Sequence, residues 1–154
     1  MDREQVVKMF EEARDDEHTV FVGKQANDKL LSFIEMELDV VLPPDYKWYL
    51  REYGYVLVSG GDIIGTGKTD VPKVIRVTKD WREHGLPKQF VVVEEYDEFL
   101  YCLDTRDVNE AGDCSVLLYE WQWGESTKRF ESFYEYLAYV ISGREIWPES
   151  WGNW

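Results

Sequence analysis

Residues 42–67 read LPPDYKWYLREYGYVLVSGGDIIGTG and contain the clearest structural signals in the chain. Proline suits the first turn of a helix, where the N–H groups lack intrahelical partners, so Pro43 and Pro44 predict a helix start. Asp45 adds a negative charge, which a helix N-terminus favours. Four apolar residues then recur at the i, i+3, i+4, i+7 spacing of one helix face: Tyr46, Tyr49, Leu50 and Tyr53. Gly54 predicts the end of this helix.

A β-hairpin is predicted directly after this helix. Residues 56–58 read Val-Leu-Val, an apolar run typical of a strand. Residues 60–62 read Gly-Gly-Asp and predict a turn, and residues 63–64 read Ile-Ile and predict the returning strand.

This helix and hairpin resemble the signature of the SUKH superfamily, a domain shared by a yeast cell-wall assembly regulator and many bacterial toxin-immunity proteins. The signature consists of Leu-Pro, an aromatic residue, a short helix that stops at a Gly, and a hairpin that ends near Ile-Gly. The matching residues are Leu42-Pro43, Tyr46, Tyr53-Gly54 and Ile64-Gly65. A second family pattern, in the last helix, is similar to residues 132–137, SFYEYL. The resemblance covers residues 26–142.

Apolar residues at helical spacing predict four more helices. They cover residues 3–14, a segment capped by Asn27 or Asp28, residues 73–84 and residues 130–141. The β-branched residues in 73–84 also fit a strand, and the family pattern favours the helix. For this helix we expect Asp70 to be the N-cap and Pro72 to lie in the first turn.

Three strands are predicted in the second half of the chain, at residues 90–95, 99–104 and 115–123, with a polar loop over 104–114. Consecutive antiparallel strands form a meander. Trp121 and Trp123 alternate with polar residues on the third strand, so they either pack inside or form an exposed contact patch. We favour the interior. The predicted fold is α+β, a mainly antiparallel sheet with helices packed on one face, as the resemblance also implies.

The length of 154 residues predicts a single SUKH-like domain over residues 1–154. Residues 1–25 would form an N-terminal helix and connector, and residues 143–154 a tryptophan-rich tail. The sequence contains no run of about 18 apolar residues, so no membrane span is predicted. The charged N-terminus does not resemble a signal peptide. We therefore expect a cytoplasmic protein that binds no membrane. Cys102 and Cys114 are expected to be free thiols.

Acidic residues dominate the charge, which is −14 at pH 7. Residues 94–125 contain ten acids and one base. Such a field repels nucleic acid and attracts basic protein surfaces, although it also fits a merely solubilising face. The predicted partner-binding residues are Glu94, Glu95, Asp97, Glu98, Asp104, Asp107, Glu110, Asp113 and Glu120, with Asp62 as a weaker candidate.

Catalytic motifs are not evident in the sequence. Residues 61–69 resemble a phosphate-binding loop, but five residues instead of four separate Gly61 from Gly67, and Asp62 would face the phosphates. His18 and His84 lack metal-ligand spacing, and residues 104–113 lack the spacing of an EF-hand. We therefore expect no enzyme activity, no cofactor and no metal site.

The resemblance implies a protein that binds another protein. Bacterial members of the superfamily commonly neutralise a cognate toxin, often a nuclease with a basic cleft that an acidic surface can occupy. The predicted function is that of an immunity protein, or antitoxin, with a protein toxin as partner. An intracellular scaffold or regulatory adaptor is the alternative, followed by a small hydrolase that would depend on His84 or His18.

Overall fold

Two antiparallel sheets and five α-helices form the structure, a computed structural model that describes residues 1–21, 23–58 and 61–151. The helices are α1 (Arg3–Ala13), α2 (Asp28–Leu38), α3 (Pro44–Glu52), α4 (Lys73–Glu83) and α5 (Phe133–Ile141). The smaller sheet contains β1 (Val20–Phe21), β2 (Val56–Val58) and β3 (Gly61–Ile63) in that order. The larger sheet contains β4 (Phe90–Glu95), β5 (Phe99–Val108), β6 (Cys114–Glu120) and β7 (Gly124–Phe130). The predicted α+β class is confirmed.

Helix α3 holds the hairpin through its tyrosines. Tyr46 and Tyr49 are fully buried, and their hydroxyl groups donate hydrogen bonds to the carbonyl oxygens of Ile64 and Ile63 at 2.7 and 2.6 Å. Buried hydroxyl groups need such partners, because an unsatisfied polar group in the interior costs about 1–3 kcal/mol. Tyr46 and Tyr49 thus lie on one buried face of α3, as predicted, and this face contacts the returning strand.

The two signature glycines touch each other. Gly54 has a φ of +72°, as expected of a residue that ends a helix, and its carbonyl oxygen accepts the N–H of Thr66 at 2.8 Å. A Cβ atom on Gly65 would lie 2.0 Å from the same carbonyl oxygen. The chain can therefore pass this point only because residue 65 has no side chain.

We expect Gly65→Ala to lower the free energy of unfolding by about 1–3 kcal/mol, since the added methyl group must push two backbone segments apart. Urea denaturation measures this change. Gly85→Ala is the comparison for backbone strain without a steric clash, because a Cβ there meets no atom within 4 Å but the φ of +100° disfavours alanine. A loss at position 65 no larger than at position 85 would contradict the close approach.

The smaller sheet differs from the predicted hairpin in two respects. The segment Val20–Phe21 forms a third strand that pairs with β2, and two residues are too few for a sequence pattern to reveal it. Gly61 and Asp62 lie in β3 instead of the predicted turn, whereas residues 59 and 60 lie outside the described part of the chain. The N–H of Ile64 donates to the carbonyl oxygen of Val93 at 2.8 Å and so connects the two sheets.

Helix α4 is confirmed, but the predicted cap is wrong. Asp70 is exposed, Pro72 occupies the N-cap position, and no side chain caps the helix. The backbone replaces the missing cap, because the N–H groups of Lys73 and Val74 donate to the carbonyl oxygens of Thr66 and Gly65 at 3.1 and 2.9 Å. These bonds attach the start of α4 to the end of the hairpin.

The larger sheet has four strands where three are predicted. Strand β7 contains mostly polar residues, GESTKRF, so its composition did not suggest a strand. Strand β5 continues to Val108, four residues beyond the prediction, and β6 ends at Glu120 instead of Trp123. Helix α5 packs on β6 and β7, and α4 packs on β4.

The tail after α5 is partly packed on the body. Trp151 lies 4.9 Å from the ring of Phe130, and its Nε1 donates to the carbonyl oxygen of Arg129 at 2.9 Å. Trp147 remains about half exposed. Residues 152–154, which include Trp154, lie outside the described part of the chain.

Candidate interaction surface

The predicted acidic residues divide between two ends of the larger sheet. In an antiparallel meander, consecutive connections lie at alternate ends, so the β4–β5 and β6–β7 connections share one end and β5–β6 lies at the other. Strand β5 spans ten residues, which places the two ends about 30 Å apart. The end with the β4–β5 and β6–β7 connections is here called the tryptophan end, and its residues are Asp97, Glu98, Glu120, Trp121 and Trp123. The second is the distal end, defined by Asp107, Glu110 and Asp113.

The two tryptophans of the tryptophan end lie in the connection between β6 and β7, so the prediction that they pack inside is wrong. Trp121 is 37% exposed and Trp123 is 76% exposed. The strand stops before them, and the chain reverses at Gly124, whose φ is +77°. Large aromatic side chains in such positions are typical of contact residues in protein interfaces.

A groove of about 360 Å³ separates the two connections at the tryptophan end. Asp97 and Glu98 are exposed on one side, and Glu120 is half-buried on the other. None of these three carboxylates forms an ion pair with a residue that the structure describes. The groove therefore combines apolar rings with negative charge that no residue in the described part of the chain neutralises through an ion pair.

A second groove, of about 560 Å³, lies on the other side of Trp121. Its lining residues are Asp80, Trp81, His84, Glu95 and Trp121. The rings of Trp81 and Trp121 stack with their centroids 4.7 Å apart, and Trp81 Nε1 donates to Glu95 Oε2 at 2.8 Å. This contact could not be found from the sequence, because no local pattern shows that α4 meets the β6–β7 connection.

Glu94 does not belong to either end. Its carboxylate is buried, with 1% of its side chain exposed, and accepts hydrogen bonds from the hydroxyls of Tyr96 and Tyr136 and from Arg144 Nη2. Burial and then the neighbouring carboxylate raise the pKa of Tyr96 to about 12. Burial is the largest single influence and lowers the pKa of Arg144, but the Glu94 charge and the neighbouring tyrosine hydroxyls together outweigh it and raise this pKa overall. Glu94 is therefore an interior charge, and we leave it out of the proposed surface.

Asp104 is also interior. It accepts hydrogen bonds from Arg129 Nη1 at 2.7 Å and from Arg106 Nε at 3.3 Å. Burial raises the pKa of this carboxyl group, but the bonds from Arg106 and Arg129 outweigh burial and hold the pKa below its usual value. We leave Asp104 out of the proposed surface for the same reason.

Asp62 is neutralised on the smaller sheet. Its Oδ2 accepts from Lys73 Nζ at 2.5 Å and from the hydroxyl of Tyr55. Burial is the largest single influence and lowers the pKa of Lys73, but the hydrogen bonds and charges of Asp62 and Tyr55 together outweigh it and raise this pKa overall. A carboxylate that is already paired attracts a basic partner less than a free one does.

The distal end keeps Asp107 and Glu110 exposed, and Asp113 half-buried. Asp113 lies near the fully buried Asp45, whose carboxylate accepts the backbone N–H groups of Tyr46 and Phe133, both at 2.8 Å. Asp45 thus joins the starts of α3 and α5. The sequence predicted only that Asp45 favours the start of α3, because an acid suits a helix N-terminus. It could not show the contact with Phe133, which is distant in the chain.

Cys102 and Cys114 are both buried and free. The strand register pairs Cys102 with Leu117 and Cys114 with Val108, so the two thiols do not face each other. Burial raises the pKa of both, that of Cys114 to about 12. In the described part of the chain, no group of three His, Cys, Asp or Glu side chains could hold a metal ion. Within the same part, no helix has the length and apolar character needed to cross a membrane.

Comparison with known proteins agrees with this architecture. The family model SUKH_5, described as SMI1-KNR4 cell-wall, matches residues 4–142. A crystal structure of a protein from Pseudomonas syringae pv. tomato is similar to the chain, with a TM-score of 0.63 and 20% sequence identity over 92% of this chain and 97% of that one. At this identity the likeness concerns the fold alone. The family match, which covers most of the chain, shows that this protein belongs to the SUKH superfamily.

Proposed function

We propose that this protein is an immunity protein that binds and neutralises a bacterial protein toxin through its tryptophan end. The observation that supports the proposal is the pair of exposed tryptophans, Trp121 and Trp123, beside carboxylates that lack ion-pair partners among the described residues. Aromatic anchors supply most of the binding energy in many interfaces, and the surrounding charges select the partner. Neutralisation would require one bound copy per toxin molecule and no turnover.

A toxin of the nuclease type fits this surface best. A nuclease holds phosphate groups in a basic cleft, and carboxylates spaced along a protein edge can take their place. The overall charge of −14 would also accelerate the association with a basic partner. Cytoplasmic location is part of the proposal, because an antitoxin must be present where the toxin acts.

The test is a comparison of two variants that lose the same charge at opposite ends of the sheet. We expect Asp97→Asn combined with Glu98→Gln to weaken binding to the cognate toxin, which this proposal places in a neighbouring gene, by about tenfold or more, mainly through slower association. Asp107→Asn combined with Glu110→Gln is the control of equal charge, since it changes one exposed Asp and one exposed Glu at the distal end, although Asp107 pairs with Arg129 at 3.4 Å.

Binding is measured by surface plasmon resonance, and neutralisation by survival of cells that express both proteins. An equal loss in both variants would contradict a site at the tryptophan end and would indicate only a general charge effect. Survival that does not depend on the protein at all would contradict the immunity function and favour the adaptor role.

A further inference from the structure

The groove beside Trp81 combines three features that favour a bound cation. Two indole rings line it, and aromatic faces attract cations through their electron-rich surfaces. Asp80 and Glu95 add two carboxylates. Of the described residues that line this groove and the neighbouring one, none is Lys or Arg, and His84 is the one basic side chain among them.

Glu95 has a fixed position in this groove. It is half-buried at the end of β4, and its Oε2 accepts the N–H of Trp81 at 2.8 Å. This bond orients the carboxylate beside the rings. A carboxylate offers about four lone-pair positions, so it can accept one bond from Trp81 and still accept others from a ligand.

The shape and chemistry favour arginine over lysine. A guanidinium group is flat, stacks on aromatic rings and donates several N–H groups in one plane, whereas an ammonium group is a compact and strongly hydrated charge. The stacked rings of Trp81 and Trp121 beside the oriented carboxylate of Glu95 suit a guanidinium group better than an ammonium group. The volume of about 560 Å³ lies within the usual range for ligand sites, about 300–1,000 Å³.

We infer that this groove receives an arginine side chain of the protein partner, with the guanidinium group against Trp81 and Trp121 and paired with Glu95. The inference rests on the proposed function, because it names the anchor by which the partner would reach the tryptophan end. Trp121 lines both grooves. A partner segment bound in the groove beside Asp97 and Glu98 can therefore place one side chain in the groove beside Trp81.

The first experiment uses short peptides and needs no toxin. Acetyl-Gly-Arg-Gly-amide is titrated into the ¹⁵N-labelled protein while the indole N–H signals are followed by NMR. We expect saturable shifts of the Trp81 and Trp121 signals, with dissociation constants in the millimolar range. The matching lysine peptide should bind at least about threefold more weakly, and the citrulline peptide, which has the same shape without charge, should cause no shift. Equal shifts with arginine and lysine, or equal shifts at Trp147, would overturn the inference.

The second experiment compares Glu95→Gln with Asp107→Asn. Glutamine keeps an oxygen that can accept the Trp81 N–H, so the variant removes the charge and preserves the side-chain length. We expect Glu95→Gln to weaken the arginine peptide by about fivefold or more, whereas Asp107→Asn at the distal end should have no effect. The Trp81 indole signal should itself shift in the free variant, because its acceptor changes from a carboxylate to an amide oxygen. Backbone amide signals of α4 and β4 that match those of the wild type show that the groove is intact. Equal weakening by both substitutions would overturn the inference.

The toxin assay separates this inference from the proposed function. If Asp97→Asn with Glu98→Gln weakens toxin binding and Glu95→Gln does not, the arginine site is wrong and the tryptophan end still binds the toxin. If the arginine peptide binds as expected but no toxin is neutralised, the immunity function is wrong and the cation site stands. Weakening by both variants, with the distal control unchanged, supports both.

Discussion

Replacing Arg144 by alanine is expected to lower the free energy of unfolding by about 3–5 kcal/mol, because it leaves the buried carboxylate of Glu94 without its countercharge. Tyr96 and Tyr136 would still donate hydrogen bonds to Glu94, but neither carries a positive charge. The backbone at residue 144 has a φ of +69°, and this strain is similar for arginine and alanine, so it cancels in the comparison. Guanidinium chloride denaturation at pH 7 measures the change.

Two controls show whether the buried charge causes this loss. Arg51→Ala removes an arginine whose partner Asp28 is almost fully exposed, and we expect a loss of at most about 1 kcal/mol. Adding Glu94→Gln to Arg144→Ala removes the unpaired charge and should recover at least about 1 kcal/mol. A double variant no more stable than Arg144→Ala would show that lost packing, and not the charge, explains the effect.

Stability is expected to fall as the pH rises from about 4 to about 7, because of Asp45. Burial, followed by the charge of Asp113, raises the pKa of this carboxyl group from 3.8 to about 7, although the backbone N–H of Phe133 opposes the shift. The folded protein therefore holds a proton that the unfolded chain releases across this range. The stabilisation that this proton provides is complete below pH 3.8 and is lost above about pH 7. The difference is on the order of 4 kcal/mol.

Asp45→Asn isolates this contribution from those of the other acids. The variant cannot titrate at this position, so its stability should depend less on pH between 4 and 7. It should also be less stable than the wild type at pH 5 by about 1–3 kcal/mol, since an amide cannot accept both backbone N–H groups. The difference between the two proteins should then shrink toward pH 8. Parallel stability curves would contradict a raised pKa at Asp45.

The helix and hairpin over residues 42–67 could be predicted because their signals are local. Pro44 starts α3, Gly54 ends it, and the tyrosines recur at helical spacing, so each signal depends only on close neighbours in the chain. The two signature glycines, Gly54 and Gly65, could also be identified from the sequence. Their contact was not, because a distance between Gly54 and Gly65 depends on how the hairpin folds back.

The candidate surface was predicted only in part, because sequence shows charge but not pairing. The sequence alone does not distinguish Glu94, Asp97 and Asp104, since each is an acidic residue. Of these three, only Asp97 is exposed. The other two are buried and pair with arginines from other parts of the chain. Strand β7 brings one of these arginines, Arg129, into place. Because its polar composition hid that strand, the partner of Asp104 could not be inferred either.

The proposed contact residues lie in connections between strands, and this location has an evolutionary consequence. Asp97, Glu98 and Trp123 are exposed in such connections. Substitutions at exposed positions of this kind usually change stability by less than about 0.5 kcal/mol. Under the proposed function, substitutions of these side chains could therefore match a toxin whose surface changes, while the tyrosine-rich interior keeps its fold.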